Sequence, residues 1–178
     1  GTVEASRMAG IQYEGKELQS GKRMTWHVSC IFSSDEGVIT ADEESSFETA
    51  YYNREDWKGK FIGETKDHEY HLYRKKKAVK LAKLYVCGMG AFECWINGER
   101  VSDHVMEPGW TDFRRTCFYT AYDVTEYFAE GENTENVILV KLGDCMFNVP
   151  GGRYVYFQRS YGKAKLLCQL EDPSMLLE

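Results

Sequence analysis

The chain has 178 residues, with 28 Asp and Glu against 22 Lys and Arg, for a formal net charge of −6. That balance argues against a phosphate-binding surface and so against nucleic acid. Apolar residues at 43% supply a core and exclude wholesale disorder, and no run approaches the roughly 18 apolar residues of a membrane span.

The length fits one generous domain, or one domain plus a fragment. Aromatic residues make up 14% of the chain and there are only 3 Pro, which favours strands. No basic and apolar leader is visible at Gly1-Thr2-Val3-Glu4.

In chain order, Met24 to Phe32 alternates large apolar with small or polar residues and predicts a strand, closed by a turn cluster over Ser33 to Gly37. Ser46 to Ala50 reads as a short extended piece. The basic run Arg74-Lys75-Lys76-Lys77 reads as a solvated strand edge that Lys protects from pairing. Lys80 to Cys87 predicts a strand with Leu84 and Val86 on one face and Tyr85 and Cys87 on the other. Gly88-Met89-Gly90 then breaks or bulges it.

Phe92 to Ile96 is the next strand. Asn97-Gly98 after it is a strong hairpin signal, because a type I′ turn needs positive φ at both centres. Asp123 can cap a short helical turn over Val124 to Phe128. Val137 to Val140 is continuously apolar and predicts a strand buried on both faces, and Ala164 to Leu170 alternates again. Many short strands separated by turns predict an all-β sandwich or jelly roll.

The six cysteines form no C-x-x-C and no zinc spacing, so they read as small buried hydrophobes, while their even count leaves a disulfide open without indicating one. Gly88-x-Gly90 lacks the third glycine and the helix of a dinucleotide loop. Asp42-Glu43-Glu44 reads as a solvated loop rather than an acid/base pair. His27, His68, His71 and His104 show no metal spacing.

Two stretches carry a resemblance. Leu84-Tyr85-Val86-Cys87-Gly88-Met89-Gly90, then Ile96-Asn97-Gly98-Glu99-Arg100-Val101, Pro108-Gly109-Trp110-Thr111-Asp112-Phe113 and Tyr119 to Thr125 follow one another in order. They resemble the N-terminal β-sandwich domain of bacterial α-L-rhamnosidases, glycoside hydrolase family 78. Phe47-Glu48-Thr49 and Asp56-Trp57 to Gly63 are similar to the linker that joins a fibronectin-III-like module to that sandwich. The resemblance implies a galactose-binding-domain-like jelly roll over residues 54–178, preceded by a partial fibronectin-III-like segment and linker over residues 1–53.

It further implies a non-catalytic accessory region, because the family's two catalytic carboxylates work from an (α/α)₆ barrel that this chain does not supply. The partners it implies are that barrel and a glycan containing L-rhamnose. A bacterial periplasmic or extracellular setting is favoured over the cytoplasm. Some members use this sandwich to bind rhamnose with calcium, through an Asp-Asn pair before one strand and the main chain at the P-G-W turn. Carried over by motif, the carbohydrate-binding residues are Asp67, His68, Pro108 and Trp110, with Asp67 and Pro108 as calcium ligands. His68 stands where the family has Asn, which removes an amide oxygen that a hard cation prefers. Trp110 is the implied stacking platform. Asn97 reads as a turn former and Asp112 as a nearby polar group; Tyr154, Tyr156 and Tyr161, interleaved with Arg153 and Arg159, fit either a sugar-groove lining or buried and edge aromatics.

Overall fold

The computed structural model describes residues 9–34, 37–63, 69–75, 81–129, 135–149 and 159–171. The chain divides into two compact units, Gly1–Trp57 and Lys58–Glu178.

In the first unit, β1 (Arg23–Ser34) and β2 (Gly37–Glu48) form a long antiparallel hairpin, running in register from Arg23 opposite Glu48 to Ser34 opposite Gly37. Its open end is clasped by Thr49, whose Oγ1 accepts from Lys22 N at 2.9 Å and donates to the Gln19 carbonyl. A 3-10 turn over Arg54–Asp56 follows. There Asp56 Oδ2 accepts from Ser20 Oγ at 2.7 Å and from Asn53 N at 3.0 Å. Among the described residues of this unit no further strand pairs with the hairpin, and Trp26, Val28 and Phe47 remain exposed.

The second unit is a sandwich of two antiparallel sheets. One has three strands in the order β11 (Lys165–Glu171), β4 (Lys83–Met89), β7 (Thr120–Asp123). The other has four, in the order β3 (Glu69–Lys75), β8 (Glu135–Gly143), β5 (Ala91–Ile96), β6 (Glu99–Arg100). A short pair, β9 (Asn148–Val149) and β10 (Arg159–Ser160), lies between β8 and β11 in the chain. Leu84, Val86 and Leu166 from the first sheet meet Phe92, Cys94, Ile96, Ile138, Val140 and Leu142 from the second in one buried cluster. The two-residue alternation of each strand builds this core.

Several sequence expectations hold. Asn97 and Gly98 adopt φ of 52° and 86°, and Ile96 pairs with Glu99 across them. β3, which ends in Arg74 and Lys75, is an edge strand. Asp123 Oδ1 accepts from Thr125 N and Oγ1, which starts a single 3-10 turn over Thr125–Tyr127 rather than a helix to Phe128.

One expectation is corrected. β8 is not buried on both faces: Ile138 and Val140 are buried, whereas Val137 and Leu139 are only partly covered. Its outward row is apolar because Leu139 lies directly opposite Trp95, a cross-strand pair that shields both. The doubly buried strand is β4. The N–H groups of Lys58 and Gly59 donate to Gln169 Oε1 on the adjacent β11, and Tyr119 packs against Tyr85 with centroids 6.1 Å apart.

Candidate functional site

The P-G-W turn leaves β6 and returns to β7. Its root is fixed by Glu107, whose carbonyl accepts from Phe92 N at 2.8 Å and so pins the turn to the start of β5. The Glu107 side chain is only 14% exposed. One of its oxygens accepts from the Tyr122 hydroxyl, and the other lies 3.1 Å from His104 Nδ1. The Glu107–Pro108 bond is cis, and Gly109 takes φ of 95°, a conformation open to glycine.

Trp110 emerges from this rigid root with 66% of its surface exposed. Beside it, Asp112 and Arg114 form a planar fork, with Nε to Oδ1 and Nη2 to Oδ2 both at 2.9 Å. The pair raises the Arg114 pKa further above its ordinary value. The Asp112 carbonyl accepts from the N–H groups of Arg115 and Thr116, and Thr111 Oγ1 donates to the Thr116 carbonyl, which closes the loop on itself. Tyr161 comes from beyond β10. It stacks on Phe147 at 5.7 Å and meets Phe113 edge-on at 5.6 Å. Trp110, Thr111, Asp112, Arg114 and Tyr161 line an open depression of about 470 Å³. An aromatic face beside fixed planar donors and acceptors is what a pyranose needs, with C–H groups on the ring and hydroxyls on the fork.

Of the sequence-predicted residues, Pro108 and Trp110 sit in this turn, Asp112 and Tyr161 join Trp110, and Asn97 lies elsewhere as a turn former. Asp67 and His68 fall outside the described residues, as do Arg153, Tyr154 and Tyr156 and the side chain of Arg159. The strand that follows Asp67 and His68 begins at Glu69, opposite Lys141, at the same end of the four-stranded sheet as the Phe92–Glu107 bridge. Among the described residues no three His, Cys, Asp or Glu side chains converge on one point. Both Asp112 oxygens are taken by Arg114. Sequence reading missed Arg114 and Glu107. The first is signalled only by an Asp-x-Arg spacing across a loop, and the second by its place before the cis proline.

Three weak acids belong to the core or pack against it: Cys94 is buried, and Cys168 and Tyr122 are partly buried. The Cys94 thiol is pushed up to about 12 by burial, reinforced by Cys168 and Glu107, and the Cys168 thiol up to about 12 by burial alone. Burial, and then Glu107, raise the Tyr122 phenol above its ordinary value. Free thiols ionise near 9.0. Above that pH the folded chain holds protons that the unfolded chain has lost. Stability is thus fully present below pH 9.0 and drains away as the pH climbs toward 12, by up to about 1.4 kcal/mol per pH unit for each thiol. Urea midpoints taken across this window should fall in the natural chain and fall less steeply in the Cys94→Ala/Cys168→Ala variant, which keeps the raised Tyr122 and Cys87 groups. Equal slopes in the two proteins would remove this assignment.

The fold defines a two-sheet antiparallel β-sandwich that carries an exposed turn at Pro108-Gly109-Trp110. The profile of the α-L-rhamnosidase N-terminal domain matches residues 77–173, more than half of the chain, and the profile of the Rha78A-like, N-terminal immunoglobulin domain matches residues 1–53. This chain belongs to the α-L-rhamnosidase N-terminal domain family. An α-L-rhamnosidase of Formosa agariphila is 32% identical over 94% of this chain and 19% of its own length. The structure of an α-L-rhamnosidase from Dictyoglumus thermophilum superposes with a TM-score of 0.69 at 31% identity, covering 90% of this chain and 19% of that one. The structure of an α-L-rhamnosidase from Aspergillus terreus gives 0.69 at 27% identity, covering 86% and 19%. The chain thus spans about a fifth of the length of the relatives it matches.

Proposed function

We propose that this chain is a non-catalytic accessory domain of an α-L-rhamnosidase-like glycoside hydrolase, and that it binds L-rhamnose or a rhamnose-containing glycan at the P-G-W turn. Residues 54–178 form the sugar-reading jelly roll and residues 1–53 the partial fibronectin-III-like segment. Hydrolysis belongs to a separate catalytic (α/α)₆ domain of the parent protein. The observation that carries the binding reading is Trp110, 66% exposed on a pinned turn beside the Asp112–Arg114 fork and Tyr161. An exposed indole on a pinned turn offers a flat apolar face on which the C–H side of a sugar can stack.

A depression this open buries one face of a single sugar, so the affinity is weak, about −4 kcal/mol or a millimolar Kd. Titration of the full chain with L-rhamnose, with and without calcium, should shift the indole NH resonance of Trp110. Trp110→Ala should weaken binding at least tenfold while leaving the unfolding midpoint unchanged. A flat titration at high sugar in both conditions would reject the site.

That outcome would favour a second reading, a docking sandwich for the catalytic domain with no ligand of its own. Val105, Met106 and Phe118 are exposed on the same stretch of chain as Trp110, and they supply the apolar surface such packing needs.

A further inference from the structure

The outer face of β4 carries a feature that the sugar-binding reading does not use. Cys87 is buried at 5% exposure in the middle of this central strand. Cys117 sits half-buried on the loop that also bears Trp110, with its Sγ 3.4 Å from that of Cys87. Cys117 Sγ further lies 3.8 Å from the Gly88 carbonyl and 3.6 Å from that of Phe118, so it is held over the strand while staying partly open to solvent. The two thiols already touch across 30 positions of sequence.

We propose that Cys87 and Cys117 are a thiol–disulfide exchange site, which a low-molecular-weight disulfide such as oxidised glutathione converts to an intramolecular bond between β4 and the Trp110 loop.

The chemistry assigns the two sulfurs different parts. Cys87 donates its S–H to Cys117, which holds the Cys117 thiol below its ordinary pKa and drives that of Cys87 far above it. Cys117 is therefore the thiolate that attacks. Its sulfur bonds to one sulfur of the glutathione disulfide, the S–S bond breaks, and one glutathione thiolate leaves. Cys87 then gives up its proton, attacks Cys117 Sγ, and expels the second glutathione thiolate. The two protein thiol protons end on the two glutathiones. Two electrons pass from the protein thiols to the oxidant.

Closing from 3.4 Å to the roughly 2.05 Å of a disulfide is a small movement, and it falls on the loop rather than on the doubly buried strand. The Thr116 carbonyl next to Cys117 is bonded to Thr111, so the bond ties the whole turn from Trp110 to Phe118 down to β4.

Peptide mapping of the full chain after incubation with oxidised glutathione should find Cys87 linked to Cys117, free of glutathione and cleaved by reductant. The thermal midpoint should rise by on the order of 5–10 °C. Cys87→Ser should trap glutathione on Cys117, whereas Cys117→Ser should leave Cys87 a free thiol. The natural chain decides the matter even if either variant fails to fold. Cys87 and Cys117 recovered as thiols, Cys117 recovered as a lasting glutathione adduct, or Cys117 bonded to any other cysteine would each overturn the proposal.

Discussion

Replacing Asn136 with Ala should cost about 3–5 kcal/mol, more than any surface substitution in the chain. Asn136 has no exposed surface at all. Its Oδ1 accepts from Asn97 Nδ2 at 2.7 Å and from Ala129 N at 2.9 Å, and its Nδ2 donates to the Ala129 carbonyl at 3.3 Å. Asn97 completes the network: its Nδ2 also donates to the Tyr127 carbonyl at 2.9 Å, and its Oδ1 accepts from Val137 N at 3.0 Å. Two amides thus tie the β5–β6 turn, the start of β8 and the turn after Tyr127 into one unit. Alanine takes away the partners of the Ala129 N–H and carbonyl and one acceptor of Asn97 Nδ2, and opens a cavity where Asn136 has no exposed surface. Asn136→Asp keeps the shape but aims a carboxylate at the Ala129 carbonyl. It should be as damaging at neutral pH and recover in acid, where the protonated form can donate. Urea unfolding of the three proteins at two pH values measures this. A loss below about 1 kcal/mol for the alanine variant would mean the network carries little of the stability.

How far the sequence reveals this molecule depends on whether a feature is local. Asn97-Gly98 is legible because the turn's positive φ values restrict which residues can stand there. The alternation of Leu84 and Val86 against Tyr85 and Cys87 is legible because side chains along a strand alternate faces. What covers the second face is not legible. β8 reads as doubly buried and is not, while the outer face of the three-stranded sheet is covered by the segment at Lys58 and Gly59, which settles on β11, and by Tyr119 from the loop before β7, which packs on Tyr85 of β4. The same limit governs the site. Pro108 and Trp110 are found through a contiguous motif. Arg114 is found only once the loop brings its guanidinium onto Asp112, and Tyr161 joins them from a distant part of the chain. Asn136 stands just before the apolar run Val137 to Val140, and its burial is a purely tertiary fact.

Gly90 should be the least replaceable glycine of the sandwich. It stands between β4 and β5, where the chain passes from the three-stranded to the four-stranded sheet. Its φ is 136°, and a Cβ there would lie 2.2 Å from the Gly143 carbonyl oxygen. Two independent costs therefore add in Gly90→Ala. The conformation itself is strained for any L side chain, by about 1–3 kcal/mol. The clash is with backbone, so no rotamer change relieves it. Either the corner or the end of β8 must move, and Ala91 pairs directly with Gly143. A shift there carries into Phe92, which is buried at 2% and holds Glu107 and hence the turn bearing Trp110. We expect a loss of about 4 kcal/mol or more, together with a changed Trp110 environment. Gly98→Ala is the control. Its φ is 86° but nothing lies within 4 Å of the added methyl, so it bears the conformational cost alone, about 1 kcal/mol. Equal unfolding midpoints for the two variants would show that the close approach to Gly143 is not what demands glycine at this corner.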